Sequence, residues 1–153
     1  MGKVEQAFSV LVAEGALPRR TLVGCSESQI LAVEKEFGSA LPREYRDFLA
    51  IAGRGAGKLF AGTDIFFPGV LALRSWAHEL LQENSKEDVL PIDAVIFCMH
   101  QGYELNYFVP ISDDPPVFQF VEGWDAAQQA WPSFSEFITS AIAAHRQQWP
   151  KLG

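Results

Sequence analysis

The stretch Ser26 to Gly57, SESQILAVEKEFGSALPREYRDFLAIAGRGAG, leaves the backbone the fewest choices. Ser26 followed by Gln29 has the spacing of a capping box, in which each side chain satisfies a free N–H at a helix start. Ile30, Val33 and Phe37 then fall on one side of a helical period, and Gly38 can take the left-handed conformation that stops a helix. Pro42 opens a second helix, because at the first helical position its missing N–H costs nothing. Tyr45, Phe48, Leu49 and Ala52 form its apolar stripe, and Gly53 closes it. The result is two amphipathic helices joined at a proline-marked corner, suited to covering a sheet. Neither carries an obvious chemical motif.

At 153 residues and 48% hydrophobic, the chain has material for one domain, 1–153, that buries most of its apolar surface, and is too short for two. Nineteen Asp and Glu against twelve Lys and Arg leave a net charge of -7, which repels a phosphate backbone and favours partners with basic surfaces. Direct nucleic-acid binding is therefore not expected. Cys25 and Cys98 are far apart and form no CxxC, so a reducing compartment is the natural expectation. Acidic and polar residues interrupt the N-terminal MGKVEQAFSVLVAEG, unlike a secretory signal, and Gln6 stands where a myristoylation signal needs Ser or Thr. No run approaches the ~20 apolar residues that span a bilayer. The expectation is a cytoplasmic protein with no membrane attachment.

Ahead of the helical pair, Val4, Ala7, Phe8, Leu11 and Val12 recur at helical spacing, predicting a leading helix over about 3–14 with Gly15 as its stop. Leu17 to Gly24 is a connector. After the pair, Ile65 to Leu73 reads as a short edge strand broken by Pro68-Gly69, and Ser75 as the cap of a helix through Trp76, Leu80 and Leu81 to about Asn84. SKED is then a charged surface turn. From Ala94 the pattern changes: AVIFCM is an apolar run fit for a strand buried on both faces, Gln101-Gly102 a tight turn, and residues 103–109 an alternating strand. Val117 to Val121 is a third strand, with Phe118 and Phe120 on one face. Past a loop, Ser133 and Glu136 mark a second capping box for a final helix with Phe134, Phe137, Ile138, Ala141, Ile142 and His145 inward.

Four features invite a chemical reading. The loop GRGAGKLFAG lacks the first glycine and the Ser or Thr of a phosphate-binding P-loop, follows a helix instead of a strand, and is read as a flexible glycine loop. Glu34 falls within the stripe of Ile30, Val33 and Phe37, where an unpaired carboxylate is costly; a functional acid is one reading, and a carboxylate paired with a nearby Lys or Arg, or reaching water at the stripe edge, is the favoured one. Cys98 and His100 share one side of a strand, but two ligands do not make a zinc site, and core packing with a hydrogen-bonded histidine is favoured. An activated thiolate with an oxyanion hole, or a GxSxG elbow, is not in evidence. Catalytic residues, metal ligands and cofactors are accordingly assigned as none.

Several of these pieces match a known family in the right order: SESQILAVEKEFGSALPREYRDFLAIAG, VIFCMHQGYELNYF, PVFQF and PSFSEFI. Together, over about 26–142, they resemble the SUKH superfamily, which includes the Smi/Knr-type cell-wall synthesis regulator of yeast and many bacterial immunity proteins. The most specific part is the run of Gly38, Leu41-Pro42, Tyr45 and Phe48-Leu49. The resemblance implies an α+β fold, helices packed around a small antiparallel or mixed sheet, and a protein that works by binding another protein without catalysis. The sequence departs from the commonest pattern at Gln101 and in its leading helix. Many members are similar to immunity proteins that block a nuclease or deaminase toxin.

On that footing the acidic residues around the third strand become the candidate partner surface: Asp113, Asp114, Glu122 and Asp125, with Trp124 as an aromatic anchor. The expected partner is a cognate protein toxin with a basic surface. A regulatory scaffold of the Smi/Knr kind is the alternative, and predicts long disordered flanks, of which the sequence shows almost none. An enzyme of unknown type is the third. The sequence does not determine the oligomeric state.

Overall fold

A computed structural model describes residues 2–148. In chain order the elements are α1 (Lys3–Ala13), β1 (Leu22–Val23), α2 (Glu27–Phe37), α3 (Arg43–Ala52), β2 (Gly55–Ala56), β3 (Thr63–Asp64), α4 (Leu73–Glu83), β4 (Val95–His100), β5 (Glu104–Phe108), β6 (Val117–Val121), β7 (Gln128–Trp131) and α5 (Phe134–Gln148). The fold is α+β. A two-stranded sheet pairs β1 with β2, and a five-stranded sheet runs β3-β4-β5-β6-β7, every neighbouring pair antiparallel.

The capping box at the start of α2 forms as its spacing predicts. The Ser26 hydroxyl accepts from the Gln29 N–H at 3.3 Å, and the Gln29 amide oxygen accepts from the Ser26 N–H at 2.9 Å. Gly38 ends the helix at φ 71°. Pro42 sits at the N-cap of α3, one residue before the first helical position. Gly53 follows α3 in a right-handed conformation, so what it supplies is space: a Cβ there would stand 2.6 Å from Cys25 Sγ and from the Leu49 carbonyl oxygen.

The large sheet is covered on both faces. On one, Phe97 and Phe108 meet Tyr45 of α3 and Phe134 of α5 at ring separations of 5.3 to 6.0 Å. Such edge-on and offset aromatic pairs add stabilisation beyond the area they bury. On the other face Ile96 and Met99 lie toward α4, which packs on β4. That is why AVIFCM is apolar throughout: β4 is buried from Val95 to Met99, as its composition predicts. The β5 alternation does not sort core from solvent, since Leu105, Asn106, Tyr107 and Phe108 are all buried. Asn106 is accommodated because it donates to Glu104 and accepts from Gln119.

The leading helix is an integral wall. Val4, Phe8 and Leu11 are buried against α3 and α5. Glu44 of α3, itself buried, accepts from the Val4 N–H at 2.9 Å and so caps the first turn of α1. At the other end Glu14 pairs with Arg146 at 2.8 Å, and the His145 ring Nε2 lies 3.3 Å from the Ala16 carbonyl oxygen.

Four local expectations need correction. The edge strand is Thr63–Asp64, before Ile65, and Gly69–Ala72 is a 3-10 turn. That turn leads straight into α4 at Leu73, so Ser75 lies inside the helix and caps nothing. The glycine loop is pinned in part, because Gly55 and Ala56 pair with Val23 and Leu22. The loop before α5 contains a further strand, β7, whose exposed Gln128, Gln129 and Ala130 have little intrinsic strand preference and take that form by pairing with β6.

Candidate partner-binding site

The five predicted contact residues do not form one patch. β6 is five residues long, roughly 16 Å at the usual rise, and separates them into two groups at opposite ends of the sheet.

Asp113 and Asp114 belong to the end where α3 and α5 begin. The Asp113 carbonyl oxygen accepts from the Glu44 N–H at 3.0 Å, tying this loop to the first turn of α3, while its side chain is exposed. Both carboxylate oxygens of Asp114 are engaged by Ser135: the backbone N–H donates at 2.8 Å and the hydroxyl at 2.6 Å. Asp114 therefore caps α5 from 21 residues away, next to the shorter-range cap in which the Ser133 hydroxyl accepts from the Glu136 N–H. A carboxylate at a helix N-terminus is also favoured by the helix dipole.

Glu122, Trp124 and Asp125 occupy the other end, on the turn that leaves β6. The Glu122 N–H donates to the Tyr103 carbonyl oxygen at 2.8 Å, joining this turn to the β4–β5 hairpin turn. In that turn Gln101 and Gly102 both have positive φ, 51° and 78°, the backbone signature of a tight hairpin connection. The Trp124 ring packs partly against the core, and Glu122 and Asp125 are exposed. Asp125 meets Lys86 at 3.8 Å, a solvent-exposed pair of small energetic consequence.

Beside Asp125 lies an open groove of about 500 Å³ that the sequence did not reveal. Its floor is the stacked pair Tyr107 and Phe118, ring centroids 5.4 Å apart, and its walls carry Lys86, Asp88, Val89 and Ala127. Burial raises the Tyr107 hydroxyl above its ordinary pKa. SKED supplies Lys86 and Asp88 to this wall, and is thus more than the surface turn its charge implied. The one signal available in sequence was that Tyr107 and Phe118 share strand parity across two aromatic strands.

The residues singled out for chemistry are engaged within the fold. Glu34 forms an ion pair with Arg46 of α3, the first of the two arrangements its place in the stripe allowed. Cys98 is buried, and burial, followed by the nearby Glu104 carboxylate, pushes its thiol well above the ordinary range; it is held as the neutral thiol, the form that neither attacks nor ligates. His100 Nδ1 lies 3.1 Å from the Thr63 hydroxyl across the β3–β4 pair. Among the described residues no group of three His, Cys, Asp or Glu side chains is arranged to hold a metal ion, and no helix is long and apolar enough to cross a membrane.

A search of curated proteins returns no match. A family model described as SMI1 / KNR4 family (SUKH-1) matches residues 24–140, from just before the α2 capping box to the seventh residue of α5. With well over half of its length matched in this way, the chain belongs to the SMI1 / KNR4 (SUKH-1) family.

Proposed function

We propose that this protein is an immunity protein that binds a cognate toxin and blocks its active site or substrate channel. The observation that carries the proposal is the acid excess of a family member, a net charge of -7, with exposed Glu122 and Asp125 flanking a half-buried Trp124. A nuclease or deaminase grips phosphates with Lys and Arg, and an acidic protein competes for that surface. Opposite potentials speed encounter, and a partly buried tryptophan supplies the apolar anchor that holds the complex. In this reading the protein acts in the cytoplasm and by binding alone.

The test is co-expression and co-purification with the product of the adjacent gene. Protection of the producing cell and a stable complex are expected, with an association rate that falls steeply as salt rises. Reversing Glu122 and Asp125 to Lys should slow association at low salt by about tenfold or more. A purified neighbour product that neither binds nor is inhibited would overturn the proposal.

A further inference from the structure

The sheet stops early under α4. Its first strand, β3, is two residues long, so the flank of α4 that faces this edge overhangs a groove of about 230 Å³. Trp76, Glu79, Leu80 and Glu83 line it from the helix, at the three- and four-residue spacings that place side chains in one row, and Asp64 and Met99 line it from the sheet. Trp76 is 45% exposed, although its neighbours Leu73, Ala77, Leu80 and Leu81 are buried. The indole is therefore not part of the face that packs on the sheet.

The charges around it do not serve the fold. None of Asp64, Glu79 and Glu83 makes an ion pair among the described residues. Glu79 and Glu83 are four residues apart on one helix, where like charges repel. Glu83 also ends α4, where the helix dipole disfavours a carboxylate. The three are also not arranged as a metal-binding group. An exposed indole bordered by three uncompensated carboxylates, in a groove with apolar walls at Leu80 and Met99, matches a planar cation on a thin apolar stem.

The groove borders the hairpin turn to which the Glu122 turn is bonded. Gly102 of the hairpin turn borders it, and the adjacent Tyr103 carbonyl accepts from the Glu122 N–H. Asp64, Glu79 and Glu83 thus lie near the end of the sheet that carries Glu122.

We propose that this groove receives an arginine side chain of the partner protein, its guanidinium stacked on the Trp76 ring and bonded by Glu79, Glu83 and Asp64. Arginine fits better than lysine because its delocalised, weakly hydrated plane stacks on an aromatic face and offers several donors at once. The proposal rests on the toxin-binding reading for the identity of the partner, and names where the partner's basic surface inserts.

The test uses nona-arginine and nona-lysine peptides with the full chain, read by calorimetry and by the indole N–H resonances, Trp76 being assigned by its loss in Trp76→Leu. Nona-arginine should bind more tightly than nona-lysine at low salt and shift the Trp76 resonance. Trp76→Leu and the pair Glu79→Gln/Glu83→Gln should each weaken binding about tenfold or more, while Asp113→Asn should not. Unchanged binding in those variants, equal affinity for the two peptides, or shifts confined to Trp124 would overturn the groove as the site. Co-expression separates the two levels: a wild-type protein that fails to protect sinks the immunity reading while the peptide data still report on the groove. Variants that fold and fully protect sink the groove's part in toxin binding and leave the immunity reading standing.

Discussion

Replacing Tyr45 by Phe should make the protein more stable. Tyr45 is fully buried, ringed by Phe48, Phe97, Phe108 and Phe134, and its hydroxyl has no hydrogen-bond partner among the described residues. A hydroxyl buried without a partner costs about 1–3 kcal/mol in lost hydration. Phe keeps the ring contacts and removes one oxygen, whose few dispersion contacts at ~0.1–0.2 kcal/mol each return less than about 1 kcal/mol. The net gain should be about 1–2 kcal/mol, or a rise of roughly 3–6 °C in Tm for a chain of this size. A second readout depends on sign. Burial first, then the nearby Cys25 and Cys98 thiols, raises the Tyr45 hydroxyl above its ordinary pKa, so it stays protonated in the fold while the unfolded chain ionises above pH ~10. Above that pH the unfolded state binds fewer protons than the folded one, and stability falls by about 1.4 kcal/mol per pH unit for this group. Urea unfolding at pH 7 and at pH 10–11 measures both effects: Tyr45→Phe should gain at pH 7 and descend less steeply above pH 10. A variant less stable than wild type by more than about 1 kcal/mol at pH 7 would refute the reasoning, since the hydroxyl must then hold a bond worth more than its desolvation.

Asp114→Ala removes both acceptors of Ser135 and should cost about 1–3 kcal/mol in urea unfolding, with Ser135→Ala in the same range and the double variant well short of the sum. Glu44→Ala frees the Val4 N–H and should raise hydrogen exchange selectively over residues 3–13, at a cost of about 1–2 kcal/mol. Cys98→Val should reduce the loss of stability that begins near pH 8.5–9, because the buried thiol stays protonated in the fold while its unfolded counterpart ionises; matched denaturation curves at pH 7 and 9.5 report it. Glu79→Gln/Glu83→Gln should leave the unbound protein equal to or about 0.3–1 kcal/mol more stable than wild type by thermal unfolding, since it removes a like-charge pair and the carboxylate of Glu83 from the helix C-terminus.

What could be read from sequence was whatever is settled within a few residues. The Ser26–Gln29 box, Gly38 and Pro42 act on their own turn of chain, and α2 and α3 form where they predict. β4 announced its double burial because a strand with no solvent face has no reason to alternate. What escaped depends on partners distant in sequence. Asp114 resembles any loop aspartate until α5 arrives to be capped, and β7 has no strand character until β6 supplies its hydrogen bonds. Trp76 was read as one of the residues the helix runs through, and only the early end of the sheet at Asp64 leaves it in the open. The acidic candidates were grouped by their closeness along the chain, while β6 carries them to opposite ends. Alternation on β5 misled for a related reason: its polar member Asn106 is paid for by bonds to Glu104 and Gln119 and needs no water.

The seating of α1 on α5 also sets a delay in the making of this fold during synthesis. Val4, Phe8 and Leu11 leave the ribosome well before part of the surface that covers them is made, with 129 residues separating Ala16 from His145. At ~5–20 residues per second that interval is roughly 6–26 s. For that time the nascent chain carries a partly uncovered apolar helix, open to chaperones and to other nascent copies. A chain stalled before α5 would lack the Arg146 and His145 latch and the Phe134 and Phe137 side of the aromatic core together. Translation that stops before α5 should therefore yield a product cleared by proteolysis instead of a weakened binder.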